Sequence, residues 1–173
     1  MSWKKGLKDL IAAFTLISER HKKIKLVIAG SDENNYRSQL ETLVSDLNIV
    51  SRVEFRAFVE GKEKQTLLAN AFALALCSKN ENFGNVVFEA MAHATPVIVT
   101  EGVGASSFVT EAACGYVVRR DKIVIAHAIE RLIENPHTAK KMGVSGREVV
   151  KRHYSWSQIA KRMTKRYQTF EAS

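Results

Sequence analysis

The sequence has little of what would organise a cross-linked or membrane-embedded fold. It contains two cysteines and two prolines in 173 residues, and neither Cys77 nor Cys114 has a second cysteine at C-x-x-C spacing. We therefore expect neither a disulfide framework nor a thiolate metal site, and a reducing, cytoplasmic setting is the default. No apolar run approaches the length of a membrane span, and the first residues show no signal-peptide pattern.

Patterns for metal and dinucleotide sites are also sparse. The five histidines are scattered without metal-ligand spacing, and the chain offers no Asp-x-Asp pair for a divalent cation. Gly102 and Gly104 follow a predicted strand, but the third glycine of a dinucleotide fingerprint is missing and the pattern comes late in the chain. We therefore reject an NAD site and expect no cofactor and no metal.

The composition that remains is that of a soluble globular protein. Apolar residues make up 46% of the chain and charged residues 25%, which is ordinary for one domain with a hydrophobic core. The formal net charge of +8 gives a general affinity for anions. The excess is marked towards the C-terminus, and a basic face there suits anionic lipid. No recognition motif indicates nucleic acid.

Short β-branched runs alternate with segments of helical apolar spacing along the chain. Strands are predicted over residues 25–30, 52–55, 71–77, 97–100 and 116–118. Helices are predicted over residues 6–19, 36–47, 62–69, 85–93, 123–133, 138–152 and 156–170. This alternation predicts an α/β fold with a Rossmann-like parallel sheet and helices on both faces. Residues 1–173 form one domain in this interpretation, with Tyr154 and Trp156 expected in its core.

The segment from Ser78 to Val99 carries the strongest functional signal. Two carboxylates, Glu81 and Glu89, are separated by seven residues, and between them lies a turn at Gly84 that opens a predicted helix. Free N–H groups at a helix N-terminus attract phosphate, and carboxylates accept hydrogen bonds from the hydroxyls of a ribose or a sugar. The combination predicts a nucleotide-sugar site.

These residues resemble the E-x(7)-E signature of retaining GT-B glycosyltransferases of group 1, or family 4, which runs roughly S-x-x-E-x-F-G-x-x-x-x-E-A-M-A-x-G-x-P-V-I. The matching positions are Ser78, Glu81, Phe83, Gly84, Glu89, Ala90, Met91, Ala92, Pro96, Val97 and Ile98. Shorter matches at residues 5–7, 25–30, 115–118 and 154–156 extend the resemblance over nearly the whole chain. Ala94 replaces the family's usual glycine, so we expect a small change in geometry where the helix ends.

The resemblance implies the C-terminal, donor-binding half of a two-domain enzyme. The first strand of this half would precede Lys5, so we expect a fragment that lacks its N-terminal acceptor domain and barely turns over alone. The implied reaction transfers a hexose from a nucleoside diphosphate to an acceptor hydroxyl with retention, in polysaccharide or glycolipid biosynthesis. The implied location is cytoplasmic, with peripheral contact at the inner face of the membrane as a further expectation.

The resemblance also implies a role for each site residue. Glu81 contacts the donor sugar near its anomeric carbon, and Lys5 neutralises the diphosphate leaving group in place of a metal. Glu89 accepts hydrogen bonds from the ribose hydroxyls. The sugar and the diphosphate are bound by the backbone of four residues, Phe83, Gly84, Asn85 and Val86. The base and ribose are contacted where two strands end, at Gly30, Ser31, Phe58 and Val59.

Two other functions stay open at this point. A GT-B sugar-nucleotide epimerase would need a different set of acids and histidines, and it would release its product without an acceptor. A non-catalytic nucleotide-binding or interaction module would retain the fold without the chemistry. An upstream Rossmann-like half in the parent reading frame would favour the enzyme.

Overall fold

The computed structural model describes residues 1–171 as short parallel strands alternating with helices. The strands are β1 (Leu26–Ala29), β2 (Val53–Arg56), β3 (Leu74–Leu76), β4 (Val97–Thr100) and β5 (Gly115–Val118). The helices are α1 (Leu7–Ser18), α2 (Tyr36–Asp46), α3 (Gly61–Asn70), α4 (Asn85–Ala92), α5 (Ser106–Glu111), α6 (Lys122–Glu134), α7 (Pro136–Val149) and α8 (Trp156–Glu171). This order confirms the predicted α/β class.

The strands form two parallel sheets, where the sequence predicted one. β1 pairs with β2, with Leu26 opposite Val53, and the second sheet has the order β3-β4-β5. The first residues of the chain connect the ends of the two sheets. The Met1 carbonyl accepts a hydrogen bond from the Glu33 N–H at 3.0 Å, beyond β1, and the Lys4 carbonyl accepts one from the Lys79 N–H at 2.8 Å, beyond β3.

One hydrophobic core joins the two sheets. Buried residues of α1 and α6, such as Ile17 and Ile125, pack in the same cluster as Leu26 of β1 and Ala75 of β3. β4 is buried along its whole length, as expected of a central parallel strand covered on both faces. Burial of each such aliphatic side chain stabilises the fold by about 1.5–3 kcal/mol.

Helix α5 was not predicted from the sequence. No helix is predicted between the strands at 97–100 and 116–118, yet a six-residue helix begins at Ser106. Its side chain at Val109 is fully buried, so tertiary packing stabilises a segment that is too short to show helical periodicity.

The C-terminal end of α4 keeps the left-handed geometry that glycine favours. Ala94 has φ +59°, its N–H donates to the Met91 carbonyl, and the Thr95 N–H donates to the Ala90 carbonyl, both at 3.0 Å. This is the Schellman pattern. The prediction of a changed geometry at the end of this helix is therefore wrong. Alanine in place of glycine keeps the geometry at the cost of backbone strain.

The C-terminal region departs from the prediction at one aromatic residue. α7 continues into a π-helical turn at Val150–Tyr154, and the Tyr154 ring packs against Phe88 and Phe108 with centroids 5.0 and 5.4 Å apart. Trp156 is 86% exposed, so its predicted place in the core is wrong. α8 leaves the body of the domain at this residue. Among the described residues, no helix is long and apolar enough to cross a membrane.

Candidate functional site

A glycine brings the start of α1 against the end of β3. Gly6 has φ +64°, and a Cβ there would collide with the carbonyl of Cys77. Only glycine allows this approach without displacing the backbone. Lys5, the residue before it, is thereby placed beside the loop that follows β3.

Two further glycines hold the backbone of that loop. The Glu81 N–H donates to the Gly102 carbonyl at 3.0 Å, and the Gly104 N–H donates to the Glu81 carbonyl at 2.8 Å. A Cβ at Gly102 would collide with the Lys79 carbonyl, and one at Gly104 with the Asn82 carbonyl. The Gly-x-Gly pattern after β4 therefore supports the loop that carries Glu81.

Lys5 and Glu81 form an ion pair between the Nζ and Oε2 atoms. The Glu81 side chain is 23% exposed and that of Lys5 46%, so the pair lies at the surface and stays accessible to a ligand. A cation and a carboxylate in contact suit the cleavage of a bond to an anionic leaving group. The cation can stabilise the negative charge on the leaving group, and the carboxylate can stabilise the positive charge that develops on the other atom of the bond.

Gly84 begins the helix that carries the second acid. It has φ +84° as the residue before α4, and a Cβ there would lie only 3.1 Å from the Val103 side chain and 3.3 Å from that of Leu76. The first backbone N–H groups of α4, at Asn85 and Val86, follow directly after the Glu81 loop. These N–H groups and the positive end of the helix dipole can bind a phosphate group.

The Phe83 side chain packs against α4. Its ring stacks on Phe88 with centroids 4.8 Å apart and an interplanar angle of 2°. Phe108 and Tyr154 complete the aromatic cluster with edge contacts. The ring packs the Glu81 loop against α4 and is itself 43% exposed, so both the ring and the backbone of Phe83 are accessible to a ligand.

Glu89 has a cationic neighbour that the sequence did not indicate. Lys64, on α3, places Nζ 2.5 Å from Glu89 Oε2. The two side chains are 32% and 40% exposed, although the Oε2 atom itself is buried and has no hydrogen-bond partner among the described residues. The contact is therefore an ion pair without hydrogen-bond geometry. Lys64 stands in a run of charged residues, and nothing in that run distinguishes it from Lys62.

The predicted base and ribose contacts lie at the ends of the other sheet. The Gly30 N–H donates to the carbonyls of Arg56 and Ala57 at 3.3 and 3.2 Å, so the ends of β1 and β2 are held together. Ser31 is exposed and Phe58 is 63% exposed, while Val59 is half-buried. The structure thus brings Lys5 and Glu81 into contact and places the Gly30 and Phe58 segments at the carboxyl end of a second parallel sheet.

The thiols do not offer a nucleophile to this site. Both cysteines are buried and free. Burial raises the pKa of the Cys77 thiol to about 12, with a smaller contribution from the charge of Asp9. Burial likewise raises the pKa of Cys114 to about 11. A thiol with so little thiolate at neutral pH is inert.

One group of side chains among the described residues has the composition of a metal site. The ligand atoms of His21, Glu130 and Glu134 lie within 4.8 Å of one another. Arg20 already lies 2.8 Å from Glu130 Oε1. Burial opposes ionisation of Glu130, but hydrogen bonds from Arg20 and His21 outweigh it and lower its pKa. The group lies beyond the end of α1 opposite Lys5, and we interpret it as an ion-pair contact between α1 and α6.

Comparisons with known proteins identify the family and the fold of the chain. The sequence model of one protein family, glycosyl transferases group 1, matches residues 1–149. A glycosyltransferase of Methanocaldococcus jannaschii is 33% identical over 162 residues, which cover 93% of this chain and 41% of that protein.

Solved structures have the same fold. Sucrose-phosphate synthase from Thermosynechococcus elongatus is 32% identical with a TM-score of 0.87, over 99% of this chain and 44% of the other. Anabaena HepE in complex with UDP-glucose has a TM-score of 0.87 at 21% identity, over 98% of this chain and 46% of the other. The chain spans less than half the length of each of these relatives.

Proposed function

We propose, from the premise that this chain belongs to the group 1 glycosyltransferase family, that it forms the donor-binding half of a retaining hexosyltransferase. Its substrate is a nucleoside diphosphate sugar, and the acceptor is a hydroxyl group of a glycan, a lipid or a small molecule. The observation that carries this proposal is the contact between Lys5 and Glu81. The loop that carries Glu81 leads directly into the N-terminus of α4. The segment before α1 thus supplies a cation, the loop after β3 a carboxylate, and the start of α4 free N–H groups for a sugar diphosphate.

The division of roles follows from these positions. The diphosphate binds the N–H groups at Asn85 and Val86 and takes Lys5 from its ion pair, because the two negative charges of the diphosphate attract the ammonium more strongly than one carboxylate does. Lys5 then stabilises charge on the leaving phosphate without a metal. Glu81, released from Lys5 but held through its backbone, lies on the sugar side and stabilises charge at the anomeric carbon.

The nucleoside occupies the remaining predicted positions. Glu89, on the fifth residue of α4, accepts hydrogen bonds from the ribose hydroxyls. The base lies towards Phe58 and Val59, and the exposed ring of Phe58 offers a surface for stacking. The Anabaena HepE structure, which has the same fold and holds UDP-glucose, supports a UDP-sugar as the first donor to test.

Catalysis needs a second domain in this proposal. More than half of each relative's length lies outside the matched region, and the acceptor site belongs to that part. The 173-residue chain therefore binds the donor but neither transfers nor hydrolyses it, because no cleft closes around the reacting centre.

The proposal includes peripheral contact with an anionic membrane surface from the cytoplasmic side. Trp156, Met163 and Tyr167 are exposed on α8, and this helix also carries Lys161, Arg162, Lys165 and Arg166. An exposed apolar stripe beside basic residues suits the interface of an anionic bilayer. Trp156 fluorescence should shift to the blue with anionic vesicles and not with neutral ones, in a W3F variant that leaves Trp156 as the sole tryptophan.

A thermal-shift screen tests the donor site directly. The purified chain is melted with UDP-, GDP- and ADP-sugars, each beside its bare nucleoside diphosphate and beside the free sugar. A ligand that binds the native state raises the melting temperature by mass action. We expect one base to give a clear rise and free sugar to give none. If none of the nucleotides raises the melting temperature, the result would contradict the proposal and would favour an interaction module.

A further inference from the structure

Lys64 is placed where the helix that carries it does not favour a cation. It is the fourth residue of α3, close to the positive end of the helix dipole, and a lysine there is mildly unfavourable. Lys62 and Glu63 on the same turn are exposed, whereas Lys64 is half-buried. Local helix stability therefore does not explain this lysine, and its contact with Glu89 does.

The face of α3 that carries Lys64 is held against the end of α4. Leu68, one turn further along, is 7% exposed and packs in the core. Its carbonyl accepts a hydrogen bond from Thr95 Oγ1 at 2.6 Å, just beyond the end of α4. The backbones that carry Lys64 and Glu89 are thus fixed relative to each other, so the 2.5 Å ion pair is built into the packing of two helices.

The pair has the chemistry that a ribose diol needs. A hydroxyl group is at once a donor and an acceptor. The Glu89 carboxylate satisfies the donor half of each hydroxyl, and it leaves the oxygen lone pairs without a partner. The Lys64 ammonium has three N–H donors, of which the Glu89 contact takes at most one. The others are close enough to Glu89 to reach an oxygen of a diol bound there.

We propose that Lys64 is a binding and specificity-determining residue of the nucleotide site, which donates to a ribose hydroxyl that Glu89 accepts from. This inference rests on the proposed function, since it places the ribose at Glu89. It adds that the site selects ribonucleotides over 2′-deoxyribonucleotides, because loss of one hydroxyl removes a hydrogen bond to Glu89 and another to Lys64. Charged hydrogen bonds of this kind discriminate more sharply than neutral ones.

The experiment is a thermodynamic cycle that combines a change of the Lys64 side chain with removal of one hydroxyl from the ligand. Binding affinities are measured by calorimetry. UDP and 2′-deoxy-UDP are titrated into the wild-type chain, K64M and K64R, with K62M as the matched control on the same helix. If GDP or ADP binds more tightly than UDP, that nucleotide and its 2′-deoxy form are used. The wild-type chain should prefer the ribonucleotide by about tenfold.

The variants should separate a ribose contact from general attraction to phosphate. K64M should bind UDP about tenfold more weakly and should lose most of its preference over 2′-deoxy-UDP. K64R should keep the preference, because it keeps the charge and the donors. K62M should behave as the wild type does. Melting temperatures of the free variants confirm that each one folds.

Four outcomes would overturn the inference. K64M that binds both nucleotides as the wild type does would remove Lys64 from the site. An equal loss for UDP and 2′-deoxy-UDP would show only long-range attraction to the diphosphate. A K64R variant without any preference would point to a packing role for the lysine. A wild-type chain that binds no nucleoside diphosphate would overturn the proposed function itself, and the inference with it.

Discussion

Lys5 lies in an ion pair with Glu81, although the two residues are 76 positions apart in the chain. The contact depends on Gly6, which lets the start of α1 approach the carbonyl of Cys77, and on the loop at Gly102 and Gly104 that holds the backbone of Glu81. The free protein thus keeps a cation and a carboxylate in contact at the place where a sugar diphosphate is proposed to bind.

Removal of the Glu81 side chain should affect the sugar more than the nucleotide. E81A should reduce affinity for the nucleotide-sugar and leave affinity for the bare nucleoside diphosphate equal or slightly higher, because Lys5 loses its competing partner. In a longer parent enzyme the same change should lower kcat strongly, since the lost stabilisation belongs to the transition state. Calorimetry with the two ligands measures the first effect. Equal losses for both ligands would contradict the role assigned to Glu81.

Metal removal should leave donor binding unchanged. Lys5 and the N–H groups of α4 supply the positive charge that a divalent cation would otherwise provide. The nucleoside diphosphate should therefore raise the melting temperature equally with EDTA, with magnesium and with manganese. A strict requirement for one of these cations would contradict the assignment of Lys5 to the leaving group.

Both thiols should be unreactive in the folded protein. The pKa of Cys77 is raised to about 12 and that of Cys114 to about 11, so at about pH 8 almost no thiolate is present for attack. A thiol-specific reagent should label neither residue until denaturant is added. Rapid labelling of the native chain would contradict the burial of the two thiols.

The same pKa shifts make the free energy of unfolding depend on pH. The pKa of each thiol is higher in the folded than in the unfolded chain, so the stability that the protonated thiols contribute is present below about pH 9 and is lost as the pH rises further.

Relief of the strain at Ala94 should stabilise the domain. A94G should raise the free energy of unfolding by about 1 kcal/mol, because glycine adopts the left-handed conformation without a Cβ clash. The matched control is A12G within α1, which should lower it by about 1 kcal/mol through the entropy of the unfolded chain. Urea denaturation measures both. Equal destabilisation by the two changes would show that the conformation at Ala94 costs nothing.

The sequence predicts the order of elements well because the strands are compact and distinct. β4, for example, is a four-residue β-branched run between a proline and a Gly-rich turn, and its predicted bounds of 97–100 are those of the structure. The Glu81 loop, the turn at Gly84 and the start of α4 at Asn85 were likewise predicted, because their signals are local in the chain.

The features that the sequence did not predict depend on distant contacts. Lys64 gains its significance only from the packing of α3 on α4, and a charged run gives no sign of which lysine faces inward. α5 has too few residues for periodicity, so its helix depends on the burial of Val109. Trp156 was expected in the core on residue type alone, yet it lies on a helix that leaves the domain.

Replacement of Glu89 by glutamine tests the central claim most directly. A carboxylate that accepts from a ribose diol makes charge-assisted hydrogen bonds. E89Q should therefore weaken nucleoside diphosphate binding by about tenfold or more. The free protein should melt within a few degrees of the wild type, because the Glu89–Lys64 ion pair is partly exposed and contributes at most about 1 kcal/mol. Calorimetry and a melt of the same preparation decide the matter. Equal affinity in the variant and the wild type would contradict a nucleotide site at Glu89.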